Sequence, residues 1–152
     1  IETPPAYGKY HWDGHRACNF SCPPEKTRAL DGICPKCKKP LVIGVDFRVT
    51  QLADRPAGFV PKNAIPFRTL LPLHELASVV LQKALSTKAV SAVCEPLMTA
   101  AGSELSVLLD MPRAKVAAVA GVKMADAVMA NRAGAVRVTP GFDGEYGKPR
   151  LD

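Results

Sequence analysis

His15-Arg16-Ala17-Cys18 and Cys34-Pro35-Lys36-Cys37 are the two short stretches from which the fold of this chain is read. Each carries two metal-ligating side chains separated by two residues, and fifteen residues lie between the pairs. A turn that short brings both donor atoms to one ion at roughly 2.0–2.3 Å, and two such turns complete the tetrahedron of a closed, structural Zn²⁺ site. Pro35 stiffens the second turn, while Lys36, Lys38 and Lys39 surround it with positive charge that favours thiolate over thiol. Cys22 keeps an alternative open, because Cys18-x3-Cys22 is also an allowed spacing and would replace His15 with Cys22 as fourth ligand. Core packing or a disulfide for Cys18 and Cys22 is the weaker reading beside a CxxC flanked by lysines. The expected cofactor is one structural Zn²⁺ on His15, Cys18, Cys34 and Cys37. His11-x-Asp13-x-His15 is set aside as a catalytic metal site, since no second carboxylate cluster completes a hydrolytic centre.

Outward from those turns, the chain has room for one ordinary domain or two small ones: 152 residues, of which 47% are hydrophobic. No apolar run approaches the ~20 residues of a membrane-spanning helix, and no charged-then-apolar leader is present. A soluble, cytoplasmic protein with no membrane partner is expected. Five cysteines agree with that setting, four or fewer on metal and Cys94 as a free thiol. The chain begins at Ile1 rather than methionine, which is expected of a piece of something longer. The net charge of +6 is uneven: residues 1–72 hold eleven Lys/Arg against six Asp/Glu, and residues 73–152 hold nine against eight. Basicity gathers on the metal-bearing part, the footprint of a surface that meets phosphates, although solvated lysines that merely keep a small domain soluble explain it equally well.

Along the chain, the expected fold class is α+β, mostly α. A small zinc-ribbon-like domain occupies 1–50, a Pro-rich linker 51–72, and a helical domain with a C-terminal β-hairpin 73–152. Pro24–Leu30 reads as a short helix with proline in its first turn, and Asp31-Gly32 turns the chain into the second knuckle. The β-branched run Leu41–Val49 predicts a strand. Five prolines or glycines between Pro56 and Pro72 exclude long regular structure there. Leu73, Leu76, Ala77, Val80, Leu81 and Ala84 share one helical face, and Val90, Val93, Cys94, Leu97, Met98 and Ala101 share another, with Ser86 as the expected N-cap and Pro96 as an expected kink. A short apolar segment is expected over 103–109, further helices over 112–119 and 122–133, and a strand over 135–139.

The tail, Pro140-Gly141-Phe142-Asp143-Gly144-Glu145-Tyr146-Gly147-Lys148, combines three glycines with two aromatics. Glycine amides approach anions closely, and Phe142 or Tyr146 is able to stack on a base, with Arg132, Arg137, Lys148 and Arg150 near in sequence. A plain hairpin explains the same glycines.

Taken together, Gly8-Lys9-Tyr10-His11, Gly14-His15-Arg16-x-Cys18, Cys34-Pro35-x-Cys37, Glu75-Leu76-Ala77, Gly102-Ser103-Glu104-Leu105 with Leu108-Leu109-Asp110, and the Pro140–Gly147 tail resemble, in order and over nearly the whole chain, the endonuclease Q family after its PHP (polymerase and histidinol phosphatase) domain. The resemblance implies a three-part enzyme with an N-terminal metal-dependent phosphoesterase domain, a zinc-binding domain and a helical C-terminal domain, which incises DNA 5′ of deaminated bases (uracil, hypoxanthine) or abasic sites. It implies no catalytic residue in this chain, since the catalytic divalent metals belong to the upstream PHP domain. It favours His15 and Cys18 as the first ligand pair, and Pro96 departs from the pattern. On this reading the partners are lesion-bearing DNA and that upstream domain. The candidate nucleic-acid contacts are Lys9, Arg16, Lys36, Lys38, Lys39 and Arg48 for phosphates, Tyr10 and Trp12 for stacking, and Gly141, Gly144, Tyr146 and Lys148 in the tail. An alternative reading is a non-catalytic zinc-ribbon adaptor that binds nucleic acid or a protein. A redox CxxC protein is a third, in which Cys34 and Cys37 would react freely with an alkylating agent.

Overall fold

A computed structural model describes residues 1–151. They fall into two compact units, each made of separate stretches of chain: Pro5–Phe67 with Val138–Lys148, and Ile1–Pro4 with Arg68–Arg137 and the residues from Pro149 on. The residues group otherwise than in the order 1–50, 51–72, 73–152, because the Gly-rich tail belongs with the metal-bearing segment. Asp152, the last residue of the expected helical domain, lies outside the described residues.

In the first unit, which we call the Cys/His unit, 3-10 turns span Pro5–Tyr7 and Arg16–Cys18. Strands β1 (Asp13–His15) and β2 (Phe20–Cys22) pair antiparallel with Asp13 opposite Cys22 and His15 opposite Phe20. Helix α1 (Pro24–Ala29) starts on a proline, whose missing N–H costs nothing in a first turn, and carries Glu25 near its positive end. Asp31 and Gly32 then take left-handed backbone, as a tight reversal requires. Cys22, Cys34 and Leu41 form a small buried cluster against which Phe20 and Leu30 pack.

The strand expected over Leu41–Val49 is a correction: Val45–Leu52 is a helix, α2. Only Val42 bonds like a strand residue, exchanging both backbone hydrogen bonds with Gly14 at 2.8 and 3.0 Å. Beyond it, Gly44 lies so close to the carbonyls of His11 and Trp12 that no side chain fits, and its N–H donates to Asp13 Oδ1 at 2.6 Å. Those bonds consume the edge that a longer strand would need, and β-branched propensity yields to tertiary context.

The second, helical unit holds α3 (Leu73–Leu81), α4 (Lys88–Ala101), α5 (Glu104–Leu109), α6 (Arg113–Ala120) and α7 (Val122–Arg132). Its core is the expected pair of stripes closed by later helices: Leu73 and Leu76 from α3, Val90 and Leu97 from α4, Val116 and Val128 from α6 and α7 are all fully buried. Cys94 is buried with them, as expected of a core thiol. Helix α4 starts after Thr87 rather than Ser86 and runs from Lys88 to Ala101 with Pro96 inside it. Pro96 is exposed, so the lost bond to Ala92 falls on the solvent side while the buried stripe holds the helix together. Polar side chains tie the helices to their connections. Asn131 makes two bonds to the backbone of Leu71, at 2.9 and 3.0 Å, and Glu104 accepts the Leu73 N–H at 2.7 Å. Strands β3 (Arg137–Thr139) and β4 (Lys148–Arg150) pair as a second two-stranded sheet. No helix is long and apolar enough to cross a membrane among the described residues.

Candidate metal centre and nucleic-acid surface

The four expected ligands converge. β1 ends on His15, the following 3-10 turn carries Cys18, and the reversal after α1 delivers Cys34 and Cys37. Their donor atoms all lie within 4.8 Å of one another, an arrangement able to hold a metal ion. His15 Nδ1 is 3.1 Å from Cys18 Sγ and 3.2 Å from Cys37 Sγ. Ligands about 2.0–2.3 Å from one tetrahedral ion stand about 3.3–3.8 Å apart, so the set needs only small adjustment to close on it. The second knuckle is held by its own backbone, with Cys34 N–H donating to Lys39 O at 2.8 Å and Lys38 N–H to Cys34 O at 2.9 Å. Cys22, the alternative ligand, is elsewhere: it is buried, with its Sγ 3.3 Å from Thr27 Oγ1.

Electrostatics favour a cation here. Burial alone would raise the Cys34 thiol, but the N–H groups of Cys37 and Lys36 and the His15 ring outweigh it and lower Cys34 to about 6. Cys18 moves the other way, to about 11, through its hydrogen bond to Cys37, then burial, then proximity to Cys34. At pH 7 Cys34 thus leans toward its thiolate, while Cys18, bonded to Cys37 and partly shielded from water, holds its proton. A divalent ion takes the place of such a proton.

The tail is laced to the N-terminal segment of the same unit. Trp12 N–H donates to Gly141 O at 2.9 Å, Gly141 N–H to Ala6 O at 2.9 Å, Gly144 N–H to Lys9 O at 3.1 Å and Gly147 N–H to Tyr7 O at 2.9 Å. Tyr7 and Tyr146 stack with ring centroids 5.3 Å apart, and Lys9 Nζ sits 4.7 Å from the centre of the Tyr146 ring. Asp143 accepts the Arg16 N–H at 2.6 Å, and Glu145 pairs with the Arg16 guanidinium at 3.0 Å.

Comparisons place this geometry among known proteins. Residues 72–135 match the family model described as the MJ0043 C-terminal domain. Over 144 residues, 95% of this chain, the sequence is 32% identical to the uncharacterized protein MJ0043 of Methanocaldococcus jannaschii, of which it spans 18%. The crystal structure of the lesion-specific endonuclease PfuEndoQ from Pyrococcus furiosus is similar, with a TM-score of 0.83 and 33% identity over 98% of this chain and 36% of that one. Endonuclease Q in complex with a 27-mer duplex substrate with an abasic lesion at the active site gives a TM-score of 0.85 and 33% identity over 99% of this chain and 37% of that one. The chain has the fold of the C-terminal part of endonuclease Q. It spans just over a third of the solved endonuclease Q chains and less than a fifth of the curated relative.

Within this endonuclease Q fold, the residues expected to meet nucleic acid are unevenly placed. Lys9, Tyr10, Lys38, Lys39, Tyr146 and Lys148 are exposed, and Trp12 is half-buried. Arg16 is exposed but shares its charge with Glu145. Lys36 donates to Cys18 O at 2.8 Å, which ties one knuckle to the other. Arg48 donates to Gln51 at 2.9 Å on α2. Gly141 and Gly144 spend their N–H groups inside the unit, and Gly141 is buried, so these glycines serve backbone packing rather than anion capture. Arg132, near the tail in sequence, bonds the carbonyls of Val107, Leu108 and Met111 at the end of α5. Sequence reasoning missed the pairing of Asp143 and Glu145 with Arg16, 127 and 129 residues away, and set Asp13 aside as a metal ligand without seeing that it accepts the Gly44 N–H.

Proposed function

We propose that this chain is the DNA-gripping part of an endonuclease Q-like repair nuclease, and that His15, Cys18, Cys34 and Cys37 hold one structural Zn²⁺. The observation that carries this reading is the match, over 99% of the chain, to endonuclease Q bound to a duplex with an abasic lesion. Three sulfurs and one imidazole nitrogen are the donor set of structural zinc, which when bound fixes both turns at once. The chain's own residues then act by position. The Cys34–Lys39 turn sets Lys38 and Lys39 outward for phosphates, with Lys9 and Arg16 as further contacts. Tyr146 is stacked on Tyr7 with Lys9 over its ring, while Tyr10, about half exposed, offers a ring face to an unstacked base, with Trp12 as a second. Such stacking offsets part of the few kcal/mol needed to expose a base, a cost that is smallest at a damaged or unpaired position. The substrates are DNA carrying deaminated bases or abasic sites, and the phosphodiester chemistry belongs to a PHP domain outside this chain.

Fluorescence anisotropy with abasic, uracil-containing and undamaged duplexes tests this. Affinity should fall steeply between about 50 and 200 mM salt, and each of Lys38→Glu and Lys39→Glu should reduce the log–log salt slope by roughly one phosphate contact. Salt-insensitive affinity, or no affinity for any of the duplexes, would overturn the proposal.

A further inference from the structure

We infer that the apolar face of α2, with the exposed segment that follows it, is the seat on which the rest of an endonuclease Q-like polypeptide docks. The inference rests on the kinship with endonuclease Q used above. Val45, Val49 and Leu52 recur at the i, i+4, i+7 spacing of one helical face, and they are 57%, 57% and 80% exposed. No residue of α2 is buried. With Ile43 these side chains border a groove of about 480 Å³ whose one charged lining residue is Arg48. Immediately downstream, Phe59, Val60, Ile65 and Phe67 are also more than half exposed. All of these residues belong to the Cys/His unit.

A helix that faces only water keeps such positions polar, and an exposed apolar helical face lining a groove marks an interface. The segment after α2 is irregular up to α3, longer than ordinary connections, as segments with a binding role tend to be. The occupant is indicated by chain length. The solved endonuclease Q chains match 98–99% of this chain, α2 included, yet well over half of each lies outside the match. That remainder is covalently attached in those proteins, which gives it a high effective concentration at this face. Its contact surface should be apolar, with a carboxylate opposite Arg48, for which no ion-pair partner exists among the described residues.

Diazirine footprinting of the 152-residue chain and of the longer polypeptide that contains it makes the test. Leu52, Phe59 and Phe67 should label in the 152-residue chain and lose that labelling in the longer polypeptide. The double variant Val49→Asp/Leu52→Asp, at exposed positions, should leave the circular dichroism and melting of the 152-residue chain unchanged and restore labelling of Phe59 and Phe67 in the longer one. Equal labelling in both wild-type proteins would overturn the inference. So would protection of the 152-residue chain that grows with its own concentration, since a second copy would then be the occupant, or protection that appears only on adding duplex DNA. Anisotropy on the same samples separates the two proposals: protection without DNA binding removes the DNA reading alone, and DNA binding with equal labelling removes the docking seat alone.

Discussion

Among single residues, Cys34 and Cys18 carry the clearest charge asymmetry. The Cys34 thiol falls from 9.0 to about 6, so the stability that its anion brings is fully present above pH 9 and is lost as the pH falls through 6. Cys18, at about 11, still holds its proton at pH 7 and must release it when a metal binds. Metal uptake by stripped protein at pH 7 should therefore release protons, and affinity should weaken on acidification toward pH 6. Calorimetry in two buffers of different ionisation enthalpy reads the proton count, and zero release would contradict the ligand set. In the helical unit, Asn131 is 3% exposed and satisfies both the N–H and the C=O of Leu71. Asn131→Ala strands both groups in the core and should cost about 2–4 kcal/mol in urea unfolding. A cost near zero would mean that water replaces the amide. Cys94, raised to about 11 chiefly by burial and then by Glu104 and Glu95, should resist alkylation until the unit unfolds.

At the level of elements, α2 and α4 show which signals in a sequence are strong. The apolar stripes of α3 and α4 were legible because a 3.6-residue period is intrinsic to the segment and needs no partner to be read. Val42, Ile43 and Val45 signalled a strand just as plainly, yet a strand exists only where another edge accepts its hydrogen bonds. Here Asp13 and the His11 and Trp12 carbonyls close that edge at Gly44. Gly44→Ala should accordingly displace the start of α2 and lower stability, with a loss of helical circular dichroism. Pro96 offers the converse test. It is exposed within α4, so Pro96→Ala restores one helical bond without disturbing the core and should raise stability by up to about 3 kcal/mol. No gain in melting temperature would mean that the helix is already broken at that point.

For the molecule as a whole, the spacing His15-x2-Cys18 and Cys34-x2-Cys37 pointed to the four side chains that meet, because ligand geometry is a short-range constraint, but only the structure separates His15 from Cys22 as the fourth. The grouping of the tail with the N-terminal segment was not legible, because it rests on backbone bonds from Gly141, Gly144 and Gly147 to residues more than 130 positions earlier. Identical glycines would serve a local hairpin, and composition does not distinguish the two. Charge asymmetry pointed to the Cys/His unit, but not to the pairing that binds Arg16 to Glu145 or Lys36 to Cys18 O, which leaves Lys38 and Lys39 as the outward cations of the knuckle. The DNA-gripping role proposed for this chain depends on one ion organising those turns. Native mass spectrometry of the purified chain measures that directly: the account predicts one zinc per chain, with protons displaced from the ligands, and its loss together with the folded charge-state distribution on chelation. A metal-free mass with an unchanged folded distribution in chelator would contradict it.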